Sequence, residues 1–125
     1  MKLYTIKKGK HKSKPVILKY RLNPKSITWL VRFNDDCKYV LGDNDQYDWN
    51  KLCGLAFHWY KSRYHSAMIG WRYNISTGFI EVNAYYHLGT RKAHYTNRLL
   101  SIRPGRDDLK ITLSIDREQS KYIFE

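Results

Sequence analysis

The sequence predicts an all-β fold: a β-sandwich of the jelly-roll type, with a closed β-barrel as the alternative. Three observations predict it. Aromatic residues are abundant, with 11 Tyr and 4 Trp in 125 residues, and aromatic and β-branched side chains favour the pleated, half-buried surface of a strand. Apolar and polar residues alternate along most of the chain, the period of a strand with one face on a core. Turn-forming residues interrupt that alternation every ~8–12 residues, the spacing of sandwiches and barrels. At this length the chain makes one domain, residues 1–125, large enough for one hydrophobic core.

The elements follow in order. Lys7 to Lys14 is a Lys-rich stretch that reads as a solvated loop. In residues 15–22, Val16, Leu18, Tyr20 and Leu22 alternate with Ile17, Lys19 and Arg21, and Asn23-Pro24 turns the chain. Residues 26–34 set Ile27, Trp29, Val31 and Phe33 on one face. Asp35-Asp36 is a turn, residues 38–41 a short strand, and Gly42 to Asp45 a loop. A helical turn fits Asp48-Trp49-Asn50. Residues 51–59 carry apolar side chains on both parities and read as a buried strand.

The hairpin that follows is the clearest local structure. Strands over 66–74 and 79–88 flank Ile75-Ser76-Thr77-Gly78, a loop with Gly where a left-handed conformation is usual. Closing Asn74 on Phe79 sets Tyr73 opposite Ile80, Trp71 opposite Val82, Ile69 opposite Ala84 and Ala67 opposite Tyr86. That apolar face is the predicted core. The other face pairs Arg72 with Glu81, Gly70 with Asn83, Met68 with Tyr85 and Ser66 with His87. A one-residue slip would bury Arg72 and Glu81, so the register is well specified. Strands over 93–103 and 109–115, and a closing strand over 121–125, complete the count.

Charge narrows the partners. The formal net charge is +12. Residues 1–34 hold ten bases and no acid, and residues 51–106 hold nine bases and one acid, Glu81. The acids gather in residues 35–48 and in the tail. Such a field concentrates and steers anions, so the expected partner is an anionic small molecule, a nucleotide first of all, with nucleic acid next. The longest uncharged run is far short of the ~20 residues of a membrane helix, so no membrane partner is expected. The N-terminus lacks the apolar core of a secretion signal, and Cys37 and Cys53 fit a reducing, cytoplasmic setting as free thiols. A homo-oligomer is compatible with all of this.

Motifs exclude several chemistries. There is no Walker loop, dinucleotide glycine turn, zincin helix or Cys-x-x-Cys, so no cofactor and no metal site is assigned. Asp43 to Asp48 resembles a calcium loop only briefly: its sixth position is Asp48 rather than Gly and its twelfth is Gly54 rather than Glu. A capped acidic turn is the better reading. His11-Lys-Ser13 and His94-Tyr-Thr96 have the His-x-Ser/Thr form of two-histidine phosphoesterases, but the first lies in the Lys-rich stretch.

The segment 57–72 stands apart, with two His, one Lys, two Arg, two Ser and two Trp and no acid. Arg offers a planar fork to phosphate oxygens and Lys a point charge; flat aromatic faces stack bases. The candidate ligand site is therefore His58, Tyr60, Lys61, Ser62, Arg63 and His65, facing Arg72, Tyr85 and His87 on the polar face of the hairpin. Gly70 leaves a gap in that face for a ring or a phosphate. Against this stands a simple cross-strand pair, Arg72 with Glu81.

Cys37-Lys-Tyr, Asp45-Gln-Tyr-Asp48, Asn50-Lys-Leu, Gly54, Phe57, Lys61-Ser62, Gly70-Trp-Arg-Tyr-Asn74 and Ile80-Glu81 resemble a family of small basic proteins of bacteria and their phages over residues 37–91. The resemblance implies an all-β sandwich and no assigned reaction. Through the habits of small phage proteins, it also implies sequestration of nucleotide signals, an anti-defence role.

Four functions compete. The first is non-enzymatic binding of a small phosphorylated ligand, a nucleotide or cyclic nucleotide signal, in a compact pocket. The second is single-stranded nucleic-acid binding on exposed Tyr and Trp, with strong salt dependence. The third is a metal-free ribonuclease or phosphodiesterase with His58 and His65 as acid and base and Lys61 on phosphate. The fourth is a carbohydrate-binding module, which leaves the net charge unexplained. A binder is favoured over an enzyme.

Overall fold

The computed structural model of the protein describes residues 5–6, 13–14, 25–56, 64–119 and 121–125. Among them nine strands form: β1 Thr5–Ile6, β2 Ser13–Lys14, β3 Ser26–Arg32, β4 Asn50–Ala56, β5 His65–Asn74, β6 Phe79–Leu88, β7 His94–Ile102, β8 Asp108–Asp116 and β9 Lys121–Phe124. β1 and β2 pair only briefly, Thr5 with Lys14 and Ile6 with Ser13. β3, β8 and β9 make an antiparallel sheet in that order, and β4 to β7 make a second in chain order.

The two sheets pack face to face. Phe33 and Ile111 from the three-stranded side share one buried cluster with Ile69, Trp71, Ile80, Val82, Ala84 and Ile102 from the other. Leu113 meets Leu55 and Ala67 in a second cluster. A sandwich is therefore the architecture, and no closed barrel forms among the described residues. The sandwich expectation is met in its two packed antiparallel sheets; the four-stranded one is a meander. No helix among the described residues is long and apolar enough to cross a membrane.

The hairpin forms in the expected register along its whole length, from His65 opposite Leu88 to Asn74 opposite Phe79. Its reversal is held by the Gly78 amide donating to the Asn74 carbonyl at 2.9 Å, with Gly78 at a φ of 74°. Only glycine adopts that conformation without steric cost. The alternation decides which face is dry: Ala67, Ile69, Trp71, Ile80, Val82 and Ala84 are all buried. Trp71 sits at the centre, 5.2 Å from the Phe33 ring and 5.8 Å from that of Tyr39.

Three sequence expectations are corrected. Residues 38–41 form no strand. The Gln46 side chain takes the place of a neighbouring strand, accepting from the Leu41 amide at 2.8 Å and donating to the Tyr39 carbonyl at 3.1 Å. The helical turn lies at Asn44–Tyr47, a 3-10 turn ahead of Asp48-Trp49-Asn50, because the Asp43 carboxylate caps it by accepting from the Asp45 amide. In the Lys-rich stretch, Ser13–Lys14 is a strand rather than loop. The expected strand over 15–22 lies outside the described residues, as does the end of 51–59 beyond Ala56.

Cys37 and Cys53 are free thiols, half-buried against the core. Burial pushes both up, Cys53 to about 12. Neither is a ready nucleophile, because only the thiolate attacks.

Candidate ligand-binding face

The strand alternation that buries one face of the β5–β6 hairpin presents the other on the outside of the sandwich. Ser66, Met68, Gly70 and Arg72 of β5 lie there, opposite His87, Tyr85, Asn83 and Glu81 of β6. β7 adds Tyr95 opposite Tyr85, and Leu99 opposite Asn83. Between those pairs the register shifts, and Thr96 in the irregular stretch donates its hydroxyl to the Asn83 carboxamide oxygen at 2.6 Å. β4 adds Lys51 opposite Gly70, with its side chain exposed.

Trp49, just before β4, folds over this face. A Cβ at Gly70 would come within 3.2 Å of the Tyr85 ring and 3.3 Å of the Trp49 ring. The glycine is thus the seat of the indole. Trp49 continues on one side to Tyr95, with centroids 6.3 Å apart, and Tyr95 to Tyr85 at 5.7 Å. On the other side the Arg72 guanidinium lies 4.4 Å from the Trp49 centroid and 5.8 Å from that of Tyr47. The result is a row of flat groups, Tyr47, Arg72, Trp49, Tyr95, across the sheet. Tyr85 lies buried beneath it. Tyr47 and Tyr95 are open to solvent, at 46% and 49% exposure.

Hydrogen bonds hold Arg72 and the Tyr47 turn in place. Arg72 Nε donates to Glu81 at 2.6 Å and its Nη1 donates to the Tyr47 carbonyl at 3.1 Å. Asn74 donates to the other Glu81 oxygen at 2.7 Å. Glu81 is 8% exposed. Its desolvation alone would push the carboxyl up; the Asn74 and Arg72 hydrogen bonds and the Arg72 charge outweigh that and hold it below the usual range. Gln46 is buried and also donates to the Tyr73 carbonyl at 3.3 Å, which ties the Tyr47 turn to the end of β5. Burial pushes the Tyr85 phenol up to about 12, so it stays neutral.

The two ends of the face differ in charge. The turn that carries Tyr47 also carries Asp43, Asp45 and Asp48, all exposed, with Asp43 and Asp48 at its two caps. At the opposite end Arg91 and Lys92 are exposed in the β6–β7 connection, where Arg91 Nε donates to the Tyr64 hydroxyl at 3.0 Å and the guanidinium lies 5.6 Å from that ring's centroid.

Of the residues singled out from the sequence, His58, Tyr60, Lys61, Ser62 and Arg63 lie outside the described residues. Arg72, Tyr85 and His87 do share the outer face. His65 begins β5 on the opposite parity, beside Ser66. His87 is half-buried, its ring 6.1 Å from that of Tyr85, and its Nδ1 is buried without a hydrogen-bond partner among the described residues. The gap expected at Gly70 is filled by Trp49, and the Arg72–Glu81 pair is formed. His94 stacks on Tyr86 at 5.5 Å on the other face of the sheet. The acidic segment is the capped turn, and no cluster of metal-ligating side chains occurs among the described residues. An open depression of about 530 Å³ beside Lys25, Ser114 and Ile123 lies on the other sheet.

Sequence reasoning missed Tyr47, Trp49 and Tyr95. For Trp49 the sequence held no signal, because its contact with Gly70 depends on the pairing of β4 with β5. No family model, curated protein or solved structure matches the chain, so the chemistry of this face is read from its own residues.

Proposed function

We propose that the protein is a non-enzymatic binder of phosphorylated, ring-bearing ligands of the nucleotide class, held on the outer face of the four-stranded sheet. One observation carries the reading: two exposed tyrosine rings flank an Arg72–Trp49 stack that Glu81, Asn74 and Gln46 hold in place. Such a row offers a base flat partners whose positions are set before it arrives, which lowers the entropy cost of stacking. Lys51 on the face, with Arg91 and Lys92 at its end, gives the phosphate a cationic surround. A sugar would use the same rings but not the +12 charge. Sequestration of a nucleotide signal, as in phage anti-defence, is a use that binding without turnover serves.

The test is a tryptophan-fluorescence titration with AMP, against a neutral oligosaccharide as control. AMP should quench saturably and the sugar should not. Tyr95→Ala should weaken AMP binding at least ~5-fold, the low end of one base–aromatic stack. Equal response to the sugar, or an unchanged affinity in Tyr95→Ala, would refute the proposal.

A further inference from the structure

The geometry points to a ligand longer than one nucleotide: a short single-stranded nucleic-acid segment that enters at Arg91 and Lys92 and ends at Tyr47. This rests on the nucleotide-binding reading and specifies its ligand. The first observation is the row itself. Its exposed rings, Tyr47 and Tyr95, are separated by Arg72 and Trp49, with successive centres 5.8, 4.4 and 6.3 Å apart. One base covers one exposed ring. Only a ligand with several bases in succession uses both. Groups spaced one after another across an open sheet are how single strands are bound without reading sequence.

The second observation is the charge gradient along the row. At the Tyr95 end, Arg91 and Lys92 are exposed cations, and Lys51 stands on the face opposite Gly70. At the Tyr47 end, Asp43, Asp45 and Asp48 are exposed. Glu81, the one acid within the face, is neutralised by Arg72 at 2.6 Å. A polyanion is therefore drawn in at one end and repelled at the other. The acidic turn acts as a stop, so the bound segment is short.

A length series tests this: thymidine monophosphate and oligothymidylates of two, four, six and eight nucleotides, titrated by calorimetry at two or more salt concentrations. Affinity should rise at least ~5-fold from the mononucleotide to the tetramer and level off by about six, the low range for stacking platforms. Asp45→Asn with Asp48→Asn removes the stop without adding cations, so the rise should continue to eight. Unchanged melting temperatures confirm that the variants are folded, and the series on the unaltered protein does not depend on them. Equal affinity for the mononucleotide and the octamer would overturn the inference and leave the nucleotide-binding reading standing. An acidic-pair variant that still levels off at six would overturn the stop. Absence of binding by every member would sink the underlying reading itself.

Discussion

Replacing Trp71 by alanine should cost the fold about 3–5 kcal/mol, the range for large-to-small changes in a core. Trp71 is buried between the sheets, against Phe33 on one side and Tyr39 on another, and it belongs to the cluster that joins Ile111 to Ile69, Ile80 and Val82. Removing the indole takes apolar area from the core and leaves a void that rings of this size fill only in part. A domain is stable by only ~5–15 kcal/mol in total, so the variant should be marginal. Urea unfolding followed by far-UV circular dichroism measures this. A loss below ~1 kcal/mol would mean that Trp71 does not join the two sheets.

Gly54→Ala should also destabilise, by ~3 kcal/mol, the upper end for overpacking. Gly54 pairs with Met68 across β4 and β5. A Cβ built on it would fall on the Ala67 carbonyl oxygen and on Met68 Sδ. The methionine tip can move aside, but the carbonyl belongs to the neighbouring strand's backbone and cannot yield without parting the strands. The sign is the informative part. In an unstrained position, Gly→Ala stabilises by ~0.4–1 kcal/mol by restricting the unfolded chain. A denaturation midpoint that rises in Gly54→Ala would show that β4 and β5 do not approach so closely.

Both effects turn on how far local pattern determines long-range contact. The β5–β6 hairpin was legible residue by residue, because its alternation, its Gly78 turn and its pairing all lie within one short stretch of chain. The polar face was legible as a list of residues, and Arg72, Tyr85 and His87 do share it. Its covering was not. Trp49 reaches Gly70 only because β4 pairs with β5, with Lys51 opposite Gly70, and alternation within either strand says nothing of that pairing. Tyr95 faces Tyr85 rather than His87 because the register in β7 shifts by two residues, which keeps its face but changes its partner. The absence of a strand at 38–41 has the same origin. The side chain of Gln46, distant enough in sequence to be read as loop, satisfies the backbone there.

The nucleotide-binding reading rests on where a base would lie. Photolabelling with an 8-azidoadenine nucleotide, followed by mapping of the modified peptides, tests that most directly. Label should fall on the peptides holding Tyr47, Trp49 and Tyr95, and excess AMP should remove it. Competable labelling confined to the three-stranded sheet, on β3, β8 or β9, would contradict it.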